Sequence, residues 1–215
     1  MTRNIARAAS VVALFISVAS PPALAQSAAD GFNPGANGLG VLGVAEQPDG
    51  KILVVGGFTM LGGGGTGTTS RNRIGRLHAD GSLDTSFDPG ANGNVNGVVR
   101  QPDGKILVFG EFTMLGGGFT GTTVRRYVGR LNADGSLDTS FNPGANGRIV
   151  ALVLQPDGRI LVGGFFTGLG GGTGTTPRSN IGRLNADGSV DAGFNPGANG
   201  QVGGAILGDR RWYFT

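Results

Sequence analysis

Residues Phe87–Ser140 read FDPGANGNVNGVVRQPDGKILVFGEFTMLGGGFTGTTVRRYVGRLNADGSLDTS, the second statement of a unit that the chain gives three times and then begins again. The opening heptapeptide, FNPGANG or FDPGANG, starts at Phe32, Phe87, Phe141 and Phe194, at spacings of 55, 54 and 53 residues. A fixed period of this length marks an array of similar supersecondary units. Each is too small to bury its apolar surface alone, so neighbours must stack.

Three further signposts recur in fixed order. They are Gln-Pro-Asp-Gly at Gln47, Gln101 and Gln155, Phe-Thr at Phe58, Phe112 and Phe166, and Gly-Arg-Leu-x-Ala-Asp-Gly-Ser around Arg76, Arg130 and Arg183. Single-residue changes in period fall between signposts, where a connection absorbs them. Within the second unit, residues 95–100 are β-prone and residues 101–104 make a Pro- and Gly-bearing turn. Residues 105–112, KILVFGEF, then form the most apolar strand. Two such runs about a turn apart read as a β-hairpin. Consecutive Ile106, Leu107 and Val108 demand burial on both strand faces. A Gly-rich loop at 116–123, a third strand at 126–132, an Asp-Gly turn and a more polar fourth strand at 136–141 complete the unit.

Short antiparallel strands buried in the middle and polar at the edge describe a propeller blade. The fold expected is all-β, with three four-stranded antiparallel blades plus a truncated fourth, an incomplete or open propeller. The units are 32–86, 87–140, 141–193 and the partial 194–215. A closed propeller needs about four to eight blades. After Gly197 the chain continues ANGQVGGAILGDRRWYFT, without the Gln-Pro-Asp-Gly turn, as though a longer frame had been cut or shifted. An unclosed arc exposes sheet surface and invites self-association.

The repeats resemble the delta-60 repeat family of exported bacterial β-propeller proteins. LQPDGRILVGG at 154–164, IGRLNADGS at 181–189 and FNPG at 194–197 carry the resemblance. It implies fold and export and brings no catalytic residues with it. The loop GGGGTGTT at 62–69 is longer and richer in Gly than the resemblance suggests.

Residues 1–25 have the pattern of a secretory signal peptide: Arg3 and Arg7, the apolar run AASVVALFISVAS at 8–20, and Ala23-Leu24-Ala25 as a cleavage site. The run is shorter than the ~20 apolar residues of a membrane span. The chain is therefore expected to be exported, to the periplasm, cell surface or medium, with no membrane span after cleavage. The formal charge of +3 owes two units to Arg3 and Arg7, and no basic run points to nucleic acid. With no cysteine, the exported chain has to rely on packing rather than disulfides. Its 44 glycines collect in turns and loops, leaving the apolar runs intact, as in a turn-rich β protein.

Candidate chemistry sits at positions common to the units. Arg76, Arg130 and Arg183 could line a channel and hold an anion or glycan, or each could pair with Asp84, Asp138 or Asp191 of its own unit, the reading favoured here. Asp80, Asp134 and Asp187 stand in DGSxD, where carboxylates can hold calcium but more simply cap their own turns. Calcium is the sole cofactor the sequence brings into question. The Gly-rich loops lack the Lys and following helix of a phosphate loop and read as flexible connections. Glu46, His78, Glu111 and Tyr127 depart from the repeat, yet no catalytic Ser-His-Asp grouping forms. The expected function is a non-catalytic exported module for binding or scaffolding, its partner an extracellular ligand or protein. The alternatives are part of a carbohydrate-active hydrolase or lyase propeller, and a self-assembling surface or adhesin element.

Overall fold

The computed structural model of the chain describes residues 32–203, 205–208 and 211–214. The expected signal peptide, residues 1–25, lies outside the described residues. All regular structure among the described residues is β. The first unit holds β1 (Val41–Glu46), β2 (Ile52–Gly56), β3 (Met60–Leu61), β4 (Thr69–Ser70) and β5 (Ile74–Leu77). The second holds β6 (Val95–Arg100), β7 (Ile106–Gly110), β8 (Met114–Leu115), β9 (Thr123–Val124) and β10 (Val128–Leu131). The third holds β11 (Ile149–Leu154), β12 (Ile160–Gly164), β13 (Gly168–Leu169), β14 (Thr176–Pro177) and β15 (Ile181–Leu184). A final hairpin, β16 (Ala205–Gly208) and β17 (Arg211–Phe214), follows.

Each unit is a three-stranded antiparallel sheet with the most apolar strand in the centre: β1-β2-β5, β6-β7-β10 and β11-β12-β15. The central hairpin is built by its turn. Gln101 N donates to Lys105 O at 2.8 Å, Gly104 N donates to Gln101 O at 3.0 Å, and Asp103 Oδ1 accepts Lys105 N at 3.0 Å. Gly104 has φ 85°, the left-handed conformation that closes such a loop at no steric cost. The Asn132–Ser136 turn repeats that geometry, with Gly135 at φ 93°.

The fourth strand is reduced to a single bridge, Leu137 to Leu131, with equivalents at Leu83 and Val190. Asp138 ends it: its Oδ1 accepts both Ser140 N at 3.1 Å and Ser140 Oγ at 2.6 Å, drawing the backbone into a turn in place of a ladder. The third strand is also shorter than its sequence pattern. Tyr127, just before it, sits at φ 68°. The Gly-rich segment is no loose connection. It runs between the two-residue strands β8 and β9, and Gly116 N and Gly118 N donate to Gly90 O and Pro89 O, each at 3.0 Å. Asn92 completes the clamp, its Oδ1 accepting Thr113 N at 2.8 Å and Met114 N at 2.9 Å. Asn37 and Asn146 do the same for their units, so the ANG of the heptapeptide and the Phe-Thr signpost form one structure.

The units stack in sequence, and no sheet closes on itself among the described residues. Strand β6 packs on β1 and β2, β11 on β6 and β7, and β16 on β11. Leu53, Val55 and Ile74 of the first unit share a core with Val95, Ile106, Val108 and Phe112 of the second. Leu107, Phe109 and Val128 of the second do the same with Ile149, Ile160, Val162 and Phe166 of the third. Ile106, Leu107 and Val108 are all fully buried, as a blade with neighbours on both faces requires.

Candidate functional site

The repeated arginines are held by their own units. Arg76 Nε lies 2.9 Å from Asp84 Oδ2, Arg130 Nε 2.8 Å from Asp138 Oδ2 and Arg183 Nε 2.8 Å from Asp191 Oδ2. Lys51 and Lys105 bring a second cation to Asp84 and Asp138, at 3.1 and 2.6 Å. Burial alone would raise these two carboxyls, but hydrogen bonds from Lys51, Ser86 and Arg76, or from Lys105, Ser140 and Arg130, together outweigh it. Both carboxyls are held well below the usual range.

Each of the first two arginines also reaches forward. Arg76 Nη1 donates to Ala133 O of the second unit at 2.8 Å, and Arg130 Nη1 to Ala186 O of the third at 2.7 Å. Their guanidiniums lie 4.3 Å from the ring centroids of Phe87 and Phe141, buried cation–π contacts. Each Phe in turn backs onto the Asp-Gly turn of its own unit, where Gly135 and Gly188 leave no room for a Cβ against the ring. The ion pair, stacked ring and forward hydrogen bond together form a clasp between units.

Asp80, Asp134 and Asp187 cap exposed turns. Their Oδ1 atoms accept the hydroxyls of Ser82, Ser136 and Ser189 at 2.6 to 2.7 Å and the corresponding N–H groups at 2.8 to 2.9 Å. These serine bonds lower all three carboxyls. Among the described residues no three His, Asp or Glu side chains gather as a metal site would require.

A second arginine series escapes a reading of the sequence. Arg71, Arg125 and Arg178 are buried and tie the bridging segment to the outer hairpin. Arg125 donates to the carbonyls of Val124, Thr139 and Phe141 at 2.8 to 3.1 Å. The recurrent Thr-Thr-x-Arg was the available signal.

Of the residues that break the repeat, Glu46 and His78 border the turns, and others collect elsewhere. The antiparallel register puts both turns of a sheet at one end. The opposite end carries Gly57, Glu111 and Phe165 at one repeat position, beside Leu39, Asn94 and Arg148 at another. Backbone bonds join the two positions in the second and third units: Glu111 N donates to Asn94 O at 2.8 Å and Phe165 N to Arg148 O at 2.9 Å, whereas in the first Gly57 N donates to Gly40 O, one residue past Leu39. Side chains join them across units, for Arg148 Nη1 meets Glu111 Oε1 at 3.2 Å and stacks 4.1 Å from the Phe165 ring centroid. Leu39 and Phe165 are 72% and 41% exposed, so this rim is partly apolar. A third varied position, Arg73, Tyr127 and Asn180, borders it at φ 62 to 70°. That conformation suits Asn but disfavours Arg and Tyr by about 1–2 kcal/mol.

A family model described as "Domain of unknown function (DUF5122) beta-propeller" matches residues 47–87, 101–141 and 155–194. The chain belongs to this family. Each DUF5122 match opens on the Gln-Pro-Asp-Gly turn and closes on the Phe that the preceding Arg stacks against, so it spans the ion pair and stacked ring of the clasp, and the forward bond reaches into the next match. Glu111 and Phe165 fall inside the matches, Asn94 and Arg148 between them. No curated protein matches the chain. Among solved structures, the computationally designed Ika4 protein is similar, with a TM-score of 0.51 at 12% identity over 81% of this chain and 83% of that one. At that identity the similarity is one of fold.

Proposed function

We propose that this DUF5122 chain is a non-catalytic, exported binding module that takes an extracellular ligand on the rim of Asn94, Glu111, Tyr127, Arg148 and Phe165. We read its units as delta-60 repeats, on the signposts they share with that family. One observation carries the reading: the polar residues common to the units are spent on clasps and turns, while Asn94, Glu111, Arg148 and Phe165, at positions that differ between units, share one end. An exposed aromatic beside an Arg–Glu pair suits a ligand of mixed polarity, such as a glycan. A glycan array probed with the chain lacking residues 1–25 tests this. Binding that Arg148→Ala or Phe165→Ala weakens at least about tenfold, at unchanged melting temperature, supports it. Turnover of a glycan that disappears in Glu111→Gln would replace it with the hydrolase reading, and binding indifferent to all rim variants would remove the site.

A further inference from the structure

The Gln of each Gln-Pro-Asp-Gly turn gives its main chain to the turn, but its side chain fares differently from unit to unit. In the first unit Gln47 Oε1 accepts Arg76 Nη1 at 3.5 Å. In the second and third, Oε1 of Gln101 and of Gln155 is buried with no donor among the described residues. Gln101 as a whole is only 6% exposed. A buried amide oxygen left without a hydrogen bond is unfavourable, and its repetition at two equivalent positions calls for a partner.

Both glutamines line one cleft of about 420 Å³ between the second and third units. Gln101, Pro102 and Asp103 form the second unit's side, and Leu154, Gln155 and Pro156 belong to the third. Ala186 lines it too, and the clasp bond from Arg130 Nη1 to Ala186 O at 2.7 Å ties the two units together there. The boundary between the first and second units differs twice. Gln47 has its donor, and Arg100, opposite Ile106, stands at the register position that Leu154 holds opposite Ile160.

We propose that this cleft binds an extended peptide segment of a partner protein, neutral or basic in charge, through the carboxamides of Gln101 and Gln155. What the two oxygens lack is a hydrogen donor, and a peptide N–H supplies one. A carboxamide holds an acceptor and donors in one plane, so it can pair with the N–H and C=O of an extended main chain. The terminal torsion of Gln is broad, so a small turn of each amide brings Oε1 to the cleft. Pro102, Pro156 and Leu154 offer apolar surface to the segment's side chains. Among the described residues no aromatic ring lines the cleft for a sugar face to stack on, in contrast to Phe165 on the rim. Asp103 lines it and no cation does, which disfavours an acidic segment and suits a Lys beside the bound amide. The cleft lies at the turn end of the sheets and the rim at the opposite end, so this proposal does not depend on the ligand-binding reading.

Nuclear magnetic resonance of the isotope-labelled chain lacking residues 1–25 reads both carboxamides directly through their side-chain NH2 signals. The probe is a set of acetylated and amidated tetrapeptides with Leu or Val next to Lys. The expected result is a saturable shift of the Gln101 and Gln155 side-chain signals, with that of Gln47 unmoved. Gln101→Leu should weaken binding at least about tenfold at an equal or higher melting temperature, because it removes an unpaired buried oxygen. Gln155→Leu, at a less buried site, should do the same. Asp103→Asn should weaken the Lys-bearing peptides and leave analogues with Ala in place of Lys unchanged. Peptides that move neither signal, binding indifferent to both Gln→Leu changes, a loss confined to variants that also melt lower, or N-acetylglucosamine moving both signals where peptides do not would each overturn the proposal.

Discussion

Asp138 and Asp84 each accept two cations and a serine on one buried carboxylate, and this is where the fold meets pH. Their folded carboxyls lie below the ordinary value, so their contribution to stability is complete above the unfolded carboxylate pKa of about 4 and fades as pH falls below it. Melting temperature should hold steady from pH 7 to about 5 and drop below about 4, as scanning calorimetry across a pH series would show. Asp138→Asn should blunt the acid drop and cost about 3 kcal/mol at neutral pH, because Arg130 is left buried without its anion. Asp191→Asn should cost less, about 1 kcal/mol. Arg183 and Asp191 are more exposed, at 21% and 15%, and Gly193 stands where Ser86 and Ser140 donate a hydroxyl. The pairing partners were legible in the sequence, since Arg and Asp recur eight residues apart in every unit. The forward bond to the next unit's Ala carbonyl was not, because it joins residues 57 positions apart that only stacking brings together.

At the scale of elements, the turns were readable because their chemistry is local. Pro-Asp-Gly and Ala-Asp-Gly each place Asp to cap and Gly to adopt positive φ. The fourth strand was misjudged because Asp-Thr-Ser offers the backbone side-chain partners that compete with a ladder. The Gly-rich segment looked loose because its partner, the Pro-Gly of the heptapeptide, lies nearly thirty residues upstream. Two glycines of the same motif test how far context decides. Gly144 has φ 62°, and a Cβ there would stand 2.0 Å from Gly172 O, so Gly144→Ala must separate the two loops. Gly197 has φ 64° with nothing within 4 Å of its would-be Cβ. Urea titration should show a loss of at least about 3 kcal/mol for Gly144→Ala and only about 1 kcal/mol, the backbone strain alone, for Gly197→Ala.

For the whole molecule, stability in a stacked array is a sum over units and the boundaries between them. The second unit has a complete neighbour on each face, whereas β1 of the first has four of its six residues exposed. Native-state hydrogen exchange should therefore be slowest at the amides of β7 and β10 and fastest, among the sheet strands, at β1. Equal protection in all three units would mean that the boundaries contribute little.

The sequence by itself determined the period, the hairpins and their turns, and the need for stacking. Each follows from the pleat and from side chains within a few residues of the backbone they bond. Only the tertiary structure decided which carbonyl each arginine reaches, that the divergent residues Asn94, Glu111, Arg148 and Phe165 share one rim, and which apolar face is left open. Those facts depend on register between strands and on contact between units some 55 residues apart, distances over which side-chain identity carries no geometric information until the blades are packed.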